Sequence, residues 1–124
     1  MRRLIKAMKA LSDPNRVKIV KLLQRRSMCV CELRAALGVA QPTVSKHLKT
    51  LEEAGMVRYS KEGLWVNYSL VSSNGDHGDN GDSGGNGYAS SLLAKMKDWL
   101  EDDPEIAALD NVLPQINRES AAKQ

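Results

Sequence analysis

Gly38 separates two short stretches of helical spacing, and this arrangement constrains the fold more than any other feature of the sequence. Glycine adopts the left-handed conformation that ends a helix without steric cost. Pro42 then suits the first turn of a second helix, and Gly55 suits its end. The apolar residues at helical spacing are Leu33, Ala36 and Leu37 before the glycine, and Val44, Leu48 and Leu51 after it. The pattern predicts a helix-turn-helix from about Cys31 to Gly55.

Two further amphipathic helices precede this pair. Apolar residues recur at helical spacing over residues 2–11, which predicts a first helix there. Asp13 and Pro14 supply a capping acceptor and a first-turn proline, so we expect the second helix to start at this point and to end near residue 25. The charged face of the second helix is predicted to carry Arg16, Lys18 and Lys21.

The spacing changes from helical to strand-like after Met56. Residues 57–60 and 64–70 have the composition of strands and are joined by residues 61–63, which predicts a two-stranded ribbon with a tight tip. A further helical pattern follows near the end of the chain. The sequence therefore predicts a mainly α fold with a small β-wing, a winged helix-turn-helix in the order α-α-α-α-β-β-α.

Composition divides the chain into four parts. Residues 1–71 hold the predicted winged helix-turn-helix, and residues 72–87 are almost entirely Ser, Asn, Gly and Asp, which predicts a flexible linker. Apolar residues at helical spacing then predict a C-terminal helix over residues 88–112, followed by a tail over residues 113–124. Because the linker is long, the C-terminal helix can dock either on its own subunit or on a partner.

Charge is distributed unevenly along the chain. Residues 1–71 carry 14 Lys and Arg against 5 Asp and Glu, whereas residues 72–124 carry 4 against 10. Such an excess of positive charge in the first part suits the neutralisation of DNA phosphates. The sequence shows neither an apolar run of membrane-span length, nor an export signal, nor an arrangement of catalytic residues. We therefore expect a cytoplasmic protein that is not an enzyme and requires no cofactor.

The second helix of the helix-turn-helix is expected to enter the major groove of DNA by its N-terminal end. Helical geometry places Lys46 nearly opposite the inward-facing Val44, and the wing can reach flanking phosphates or a minor groove. Two alternatives stay open, since His47 can equally be a half-buried packing residue and winged helices also serve as protein-interaction modules. The predicted DNA-contacting residues are Gln41, Thr43, Ser45, Lys46, His47 and Lys49 of the helix, and Arg58 and Lys61 of the wing.

Three motifs resemble those of the ArsR/SmtB family of metal- and metalloid-responsive repressors. They are ALSDPNR at positions 10–16, CVCEL at 29–33, and QPTVSKHL at 41–48 with Leu51 and Ala54-Gly55 after it. The resemblance implies a homodimer whose first and last helices form the interface. It also implies repression at a double-stranded DNA operator of two-fold symmetry, relieved when an inducer binds.

The spacing of Cys29 and Cys31 looks like the thiol motif by which arsenic-sensing members of that family bind As(III) or Sb(III). Soft thiolates suit such thiophilic centres. We expect Cys29 to end a short strand and Cys31 to cap the next helix, so that both side chains share one face. In the arsenic-sensing pattern a third thiol would fall at position 34, where this sequence has Arg34. Two alternatives remain, namely structural cysteines with an organic metabolite as inducer, or a strained redox pair.

Overall fold

The computed structural model describes residues 1–71 and 87–122. The helices and strands are, in order, α1 (Arg2–Ala10), α2 (Pro14–Arg25), β1 (Met28–Cys29), α3 (Val30–Leu37), α4 (Gln41–Glu53), β2 (Val57–Glu62), β3 (Trp65–Leu70), α5 (Gly87–Met96), α6 (Pro104–Val112), the 3-10 helix Leu113–Gln115 and α7 (Arg118–Ala122). This order confirms the predicted winged helix-turn-helix, in which α3 and α4 form the central pair. None of the helices in the described ranges combines the length and the apolar content that a bilayer span requires.

Local capping signals set the bounds of the central helices. At the start of α2, Oδ1 of Asp13 accepts hydrogen bonds from the backbone N–H groups of Asn15 at 2.8 Å and Arg16 at 3.3 Å. Gly38 has a φ of 73° and ends α3 in the left-handed conformation. Pro42 then lies in the first turn of α4. Because these signals are local, the sequence was sufficient to predict this part of the fold.

The wing is an antiparallel hairpin of β2 and β3, with Glu62 opposite Trp65 at its tip. The prediction that residues 61–63 form the loop and that Leu64 begins the second strand is wrong. β2 continues to Glu62, and a two-residue turn of Gly63 and Leu64 closes the hairpin. The positive φ of Gly63, 63°, permits this shorter turn, which leaves more backbone groups paired between the strands.

A third strand, β1, pairs with the other edge of β3 and gives the strand order β1-β3-β2. In this antiparallel pair Met28 lies opposite Tyr68, and Cys29 lies opposite Asn67. The sequence predicted a short strand that ends at Cys29, but it did not predict the partner of that strand. The pairing connects the start of α3 to the wing through the sheet.

The core lies between the helices and one face of the sheet and is built from aliphatic side chains and methionines. The apolar residues from α1 to the turn after α4 that are at most 1% exposed are Ala7, Ala10, Ile19, Val20, Leu22, Met28, Leu33, Val44, Leu48, Leu51, Ala54 and Met56. The C-terminal helices cover this core with Ala89, Leu93, Met96, Ile106 and Leu109. Burial of such a continuous set is the main stabilising contribution to the fold.

The single helix predicted over residues 88–112 is wrong, because this part of the chain forms the two helices α5 and α6. The turn between them contains Leu100 with a φ of 63°. After this turn, Oδ1 of Asp103 caps α6 and Pro104 occupies its first turn. The predicted tail 113–124 also contains regular structure, the 3-10 helix and α7. The predicted linker lies outside the described residues except for Gly87, which begins α5.

Lys21 binds the turn that follows α5. The sequence placed this lysine on the charged outer face of α2, but its side chain is only 1% exposed because the C-terminal helices cover this face. Its Nζ donates hydrogen bonds to the carbonyl oxygens of Met96 at 2.9 Å and Trp99 at 2.8 Å, and lies 2.8 Å from a carboxylate oxygen of Glu101. One ammonium group thus binds the last carbonyl of α5, where the helix dipole favours a cation, and a carbonyl of the turn that follows.

Candidate nucleic-acid interface and thiol pair

One face of α4 is exposed along its whole length. Val44, Leu48 and Leu51 are buried on the opposite face and fix the helix against the core. The exposed side chains include five of the predicted DNA-contacting residues, Gln41, Thr43, Ser45, Lys46 and Lys49. The helix therefore presents polar groups and two lysines to solvent on a rigid apolar base, as a DNA-reading helix requires.

His47 differs from the other predicted contact residues of α4, because its side chain is only 14% exposed. Nη1 of Arg16 lies 3.1 Å from its Nδ1, and Oδ1 of Asp13 lies 3.8 Å from its Nε2. Arg16 is itself held by the end of α1, since it donates hydrogen bonds to the carbonyl oxygens of Ala10 at 2.8 Å and Lys9 at 3.2 Å. The structure thus places His47 in the packing between α4 and α2.

Asp13 is stabilised in its charged form at the same junction. Desolvation raises the pKa of its carboxyl group, but the backbone N–H groups of Arg16 and Asn15 and the charges of His47 and Arg16 outweigh this effect. The pKa of Asp13 therefore lies below its ordinary value. At neutral pH the carboxylate is ionised and serves both as the cap of α2 and as a neighbour of His47.

The two predicted wing residues lie three positions apart on β2, so their side chains point to opposite faces of the sheet. Lys61 is exposed and Arg58 is half-buried. Leu64 at the tip is 98% exposed. The two basic side chains therefore project from different faces of the sheet, and Lys61, near the tip, is the exposed one.

Arg118 of α7, which the sequence did not indicate as a site residue, contacts the wing. Its Nη2 donates to Oδ1 of Asn67 at 3.1 Å and lies 3.5 Å from Oε1 of Glu62. Its guanidinium carbon lies 5.3 Å from the centre of the Trp65 ring, in the range of a cation–π contact. The residue is distant from β2 and β3 in sequence, so no local pattern could have indicated this contact.

The thiol pair occupies the junction between β1 and α3. Both cysteines are free; Cys29 is 2% exposed and Cys31 is half-buried. The prediction that Cys31 caps the helix is wrong, because Cys29 is the N-cap and α3 begins at Val30. The reason is Glu32, whose Oε1 accepts the backbone N–H of Cys29 at 3.0 Å in the manner of a capping box. Cys29 therefore has extended backbone and Cys31 lies within the first helical turn.

Glu32 is the buried acid of this junction and is 4% exposed. Its Oε2 accepts a hydrogen bond from Nη1 of Arg26 at 2.7 Å. Burial raises the pKa of Glu32, but the N–H of Cys29 and the guanidinium of Arg26 lower it more strongly, so the group is ionised at neutral pH. Burial raises the pKa of the Cys29 thiol, and the charge of Glu32 raises it further. The Cys29 thiol is therefore protonated at neutral pH.

Position 34, where the arsenic-sensing pattern has its third thiol, holds a structural arginine. Nη2 of Arg34 donates to the carbonyl oxygen of Ala121 in α7 at 2.7 Å. Within residues 1–71 and 87–122, no group of three or more His, Cys, Asp and Glu side chains is arranged to hold a metal ion. The two cysteines are thus the thiol ligands that α3 and its N-cap offer.

Comparison with known proteins decides the family. The family model described as "Bacterial regulatory protein, arsR family" matches residues 13–59. The HTH-type transcriptional regulator MJ1325 of Methanocaldococcus jannaschii is 48% identical over 64 residues, which are 51% of this chain and 72% of that protein. The chain belongs to the ArsR family. This confirms the resemblance seen in the three sequence motifs, and it makes the protein a transcriptional regulator rather than an enzyme.

Other ArsR-type proteins match over the same part of the chain. The arsenical resistance operon repressor of Escherichia coli is 43% identical over 67 residues, 53% of this chain and 57% of the repressor. The chain thus spans little more than half the length of that relative. The winged helix-turn-helix DNA-binding domain Mb0332 of Mycobacterium bovis, a homodimer, superposes with a TM-score of 0.59 at 23% identity, covering 77% of this chain and 76% of that one. This ArsR-family regulator therefore shares the winged helix fold of that domain.

Proposed function

We propose that the chain is a homodimeric repressor that binds operator DNA through α4 and the wing, and that As(III) or Sb(III) at Cys29 and Cys31 releases it from the operator. The observation that carries the proposal is the position of the thiol pair at the start of α3, the helix that supports the exposed face of α4. A ligand that draws the two sulfurs together acts on the base of the DNA-reading helix.

Operator binding is supported by the exposed lysines of α4 and by the positive charge of residues 1–71. That part of the chain carries 14 Lys and Arg against 5 Asp and Glu. Phosphate neutralisation by such groups releases counterions, so affinity for DNA should fall steeply with salt. A winged helix that docks on proteins instead would bind DNA weakly and show no steep dependence on salt.

Dimer formation is supported by the apolar side chains that α1 and α5 leave uncovered. Met1, Ile5, Met8 and Tyr88 are between 44% and 94% exposed. α1 is the first helix that the family resemblance assigns to the dimer interface, and α5 lies in the region 88–112 that was predicted as the last one. The matching domain from Mycobacterium bovis is a homodimer. Exposed apolar side chains of this size are typical of surfaces that another protein covers.

The chemistry of the thiols suits arsenous acid without a redox step. Each sulfur–arsenic bond forms as one hydroxyl group leaves arsenic, and the thiol proton departs with that hydroxyl group as water. The protonated state of Cys29 is therefore compatible with binding. Two such bonds leave the third position on arsenic to hydroxide or to a small thiol. Cys29 has extended backbone and Cys31 is helical, so a centre that bonds both sulfurs acts across the N-terminal boundary of α3.

An organic inducer between the core and the last helices has less support. The cleft between α2 and the start of α6 is lined by Val17, Lys18 and Ile106, among others, and holds about 150 Å³. Binding sites for organic ligands usually hold roughly 300–1,000 Å³. This cleft is therefore smaller than a typical site for an organic ligand.

Replacing Lys46 by alanine is expected to weaken operator binding about tenfold, because this side chain lies at the centre of the exposed face of α4. The unfolding midpoint should stay unchanged, since Lys46 is exposed. The matched control is Lys97→Ala, which removes an exposed lysine after α5 and should leave the affinity unchanged. Gel-shift titrations at two salt concentrations measure the operator affinities of the two variants. Equal affinities of the two variants would contradict the proposed reading face.

Equilibrium dialysis against arsenite tests the sensor independently of DNA. The native chain is expected to bind one arsenic per subunit in the presence of a reductant that is not itself a dithiol. The Cys29→Ser and Cys31→Ser single variants should each lose most of this affinity, because one sulfur cannot chelate. If the doubly substituted chain still binds arsenic as tightly as the native one, the thiol pair is not the sensor.

A further inference from the structure

The last described residues, 116–122, form a strap that lies across α3 and reaches the wing. Asn117 caps α7, with its Oδ1 accepting the backbone N–H of Ser120 at 2.8 Å. The side chain of Ala121 is 1% exposed, although the helix is short. On the α3 side, Arg34 donates to the carbonyl oxygen of Ala121 at 2.7 Å. The strap is therefore fixed to the same helix that carries Cys31.

A continuous series of hydrogen bonds connects the thiol pair to the start of the strap. The backbone N–H of Cys29 donates to Glu32, at 3.0 Å. Arg26 then joins two groups with one guanidinium, since its Nη1 donates to Glu32 at 2.7 Å and its Nη2 donates to the carbonyl oxygen of Ile116 at 2.9 Å. A movement of the Cys29 N–H therefore shifts Glu32, which is the partner of Arg26. Arg26 in turn holds the start of the strap at Ile116.

The other end of this route is Arg118, which contacts three residues of the wing. It donates to Asn67, lies beside Glu62 and stacks on Trp65. Asn67 is also the residue of β3 that lies opposite Cys29 in the sheet. The thiol junction is thus connected to β3 in two ways. The strap reaches Asn67 through the side chain of Arg118, and β1 reaches it through the backbone pairing of Cys29.

We propose that the strap holds the wing in its DNA-binding position through Arg118, and that its attachment to α3 couples the thiol pair to the wing. Arg118 is a positioning residue in this arrangement, because it neutralises Glu62 near the phosphates and fixes Trp65 instead of reading DNA. The role in positioning stands on the contacts alone. The coupling to an inducer rests on the proposed function of the thiol pair.

Operator affinity of Arg118→Ala, Lys61→Ala and the double variant tests the positioning role. We expect Arg118→Ala to weaken binding about tenfold, a typical size for coupling between sites. In the Lys61→Ala background the same substitution should have little further effect. The DNA contact that a misplaced wing would lose is already absent from that variant. Fully additive effects would overturn the proposal and make Arg118 an independent DNA contact. No loss of affinity in either single variant would overturn it as well.

Trp65 fluorescence, measured on variants that circular dichroism shows to be folded, provides a readout that a modest loss of stability would not change. The only other tryptophan is Trp99, so the measurements use a Trp99→Phe background. Arg118→Ala should shift the Trp65 emission, and Arg118→Lys should restore the operator affinity in part because it keeps the charge. The matched control is Glu119→Ala, an exposed strap residue, which should change neither quantity. An unchanged emission in Arg118→Ala would show that the contact does not fix the wing.

Substitution of Arg34 by glutamine tests the attachment to α3 without any inducer. It should reproduce both the Trp65 shift and the weakened binding of Arg118→Ala, and the two substitutions together should add little. Independent effects would overturn the coupling.

Arsenite is then added to the Trp99→Phe chain. Release from DNA without a Trp65 change would overturn the strap as the route and leave the sensor standing. If arsenite causes no release, the proposed sensor fails, while the Arg34 and Arg118 variants still decide the positioning role.

Discussion

Replacing Lys21 by methionine is expected to lower the free energy of unfolding by about 3 kcal/mol. The ammonium group is almost completely buried and binds two carbonyl oxygens and the carboxylate of Glu101. Methionine fills a similar volume but donates no hydrogen bond, so the carbonyls of Met96 and Trp99 lose their charged donor. The loss falls on the contact between α2 and the C-terminal helices, and these helices should become accessible to proteases first.

The same helix offers a matched control for this prediction. Lys18 pairs with Glu105 at 3.1 Å, but its side chain is 25% exposed and that of Glu105 is 69% exposed. Lys18→Met should therefore cost no more than about 1 kcal/mol. Urea unfolding followed by circular dichroism compares the two variants. Equal midpoints for Lys18→Met and Lys21→Met would mean that the buried lysine does not hold the C-terminal helices.

Replacing Arg34 by cysteine is expected to reduce the arsenite concentration needed for release from DNA by about tenfold or more. Position 34 lies three residues after Cys31 on α3, so the two side chains share a face of the helix. A third thiol can displace the remaining hydroxide from arsenic within the same site, and such an intramolecular bond forms at a high effective concentration. The gain should appear in arsenite titrations of the operator complex.

The substitution also removes the hydrogen bond from Arg34 to Ala121, so the loss of the guanidinium needs its own control. Arg34→Ser removes the same group without adding a thiol. Its operator affinity should match that of Arg34→Cys in the absence of arsenite, so the difference in arsenite response between the two variants measures the contribution of the third thiol. If both variants respond to arsenite alike, the third thiol contributes nothing and the chelation geometry assumed for α3 is wrong.

The central helices could be predicted from the sequence because their signals are local. Asp13 and Pro14 start α2, and Gly38 ends α3. All three residues lie next to the backbone groups that they affect. The exposed face of α4 follows from the spacing of Val44 and its apolar neighbours. Such signals act within a few residues, so one sequence is enough to detect them.

The features that the sequence did not reveal depend on residues far apart in the chain. Lys21 is buried by the turn after α5, and its hydrogen-bond partner Met96 lies 75 positions away in the chain. A lysine among the charged residues of α2 gave no indication of this burial. The sequence indicated a short strand that ends at Cys29, but it did not indicate that this strand pairs with β3. The sequence left His47 open between a DNA contact and a packing residue, and only its contact with Arg16, 31 positions away, favours the second role. Arg118 reaches the wing only because α7 packs on α3, which no local pattern predicts.

The central claim is that an ArsR-family winged helix is released from DNA through Cys29 and Cys31. The most direct measurement is the fluorescence anisotropy of labelled promoter DNA from the protein's own gene, bound by the native chain or by the Cys29→Ser/Cys31→Ser variant, during titration with arsenite. We predict that arsenite lowers the anisotropy for the native chain to that of free DNA and leaves the complex of the variant intact. Release of both complexes at the same arsenite concentration would contradict the claim.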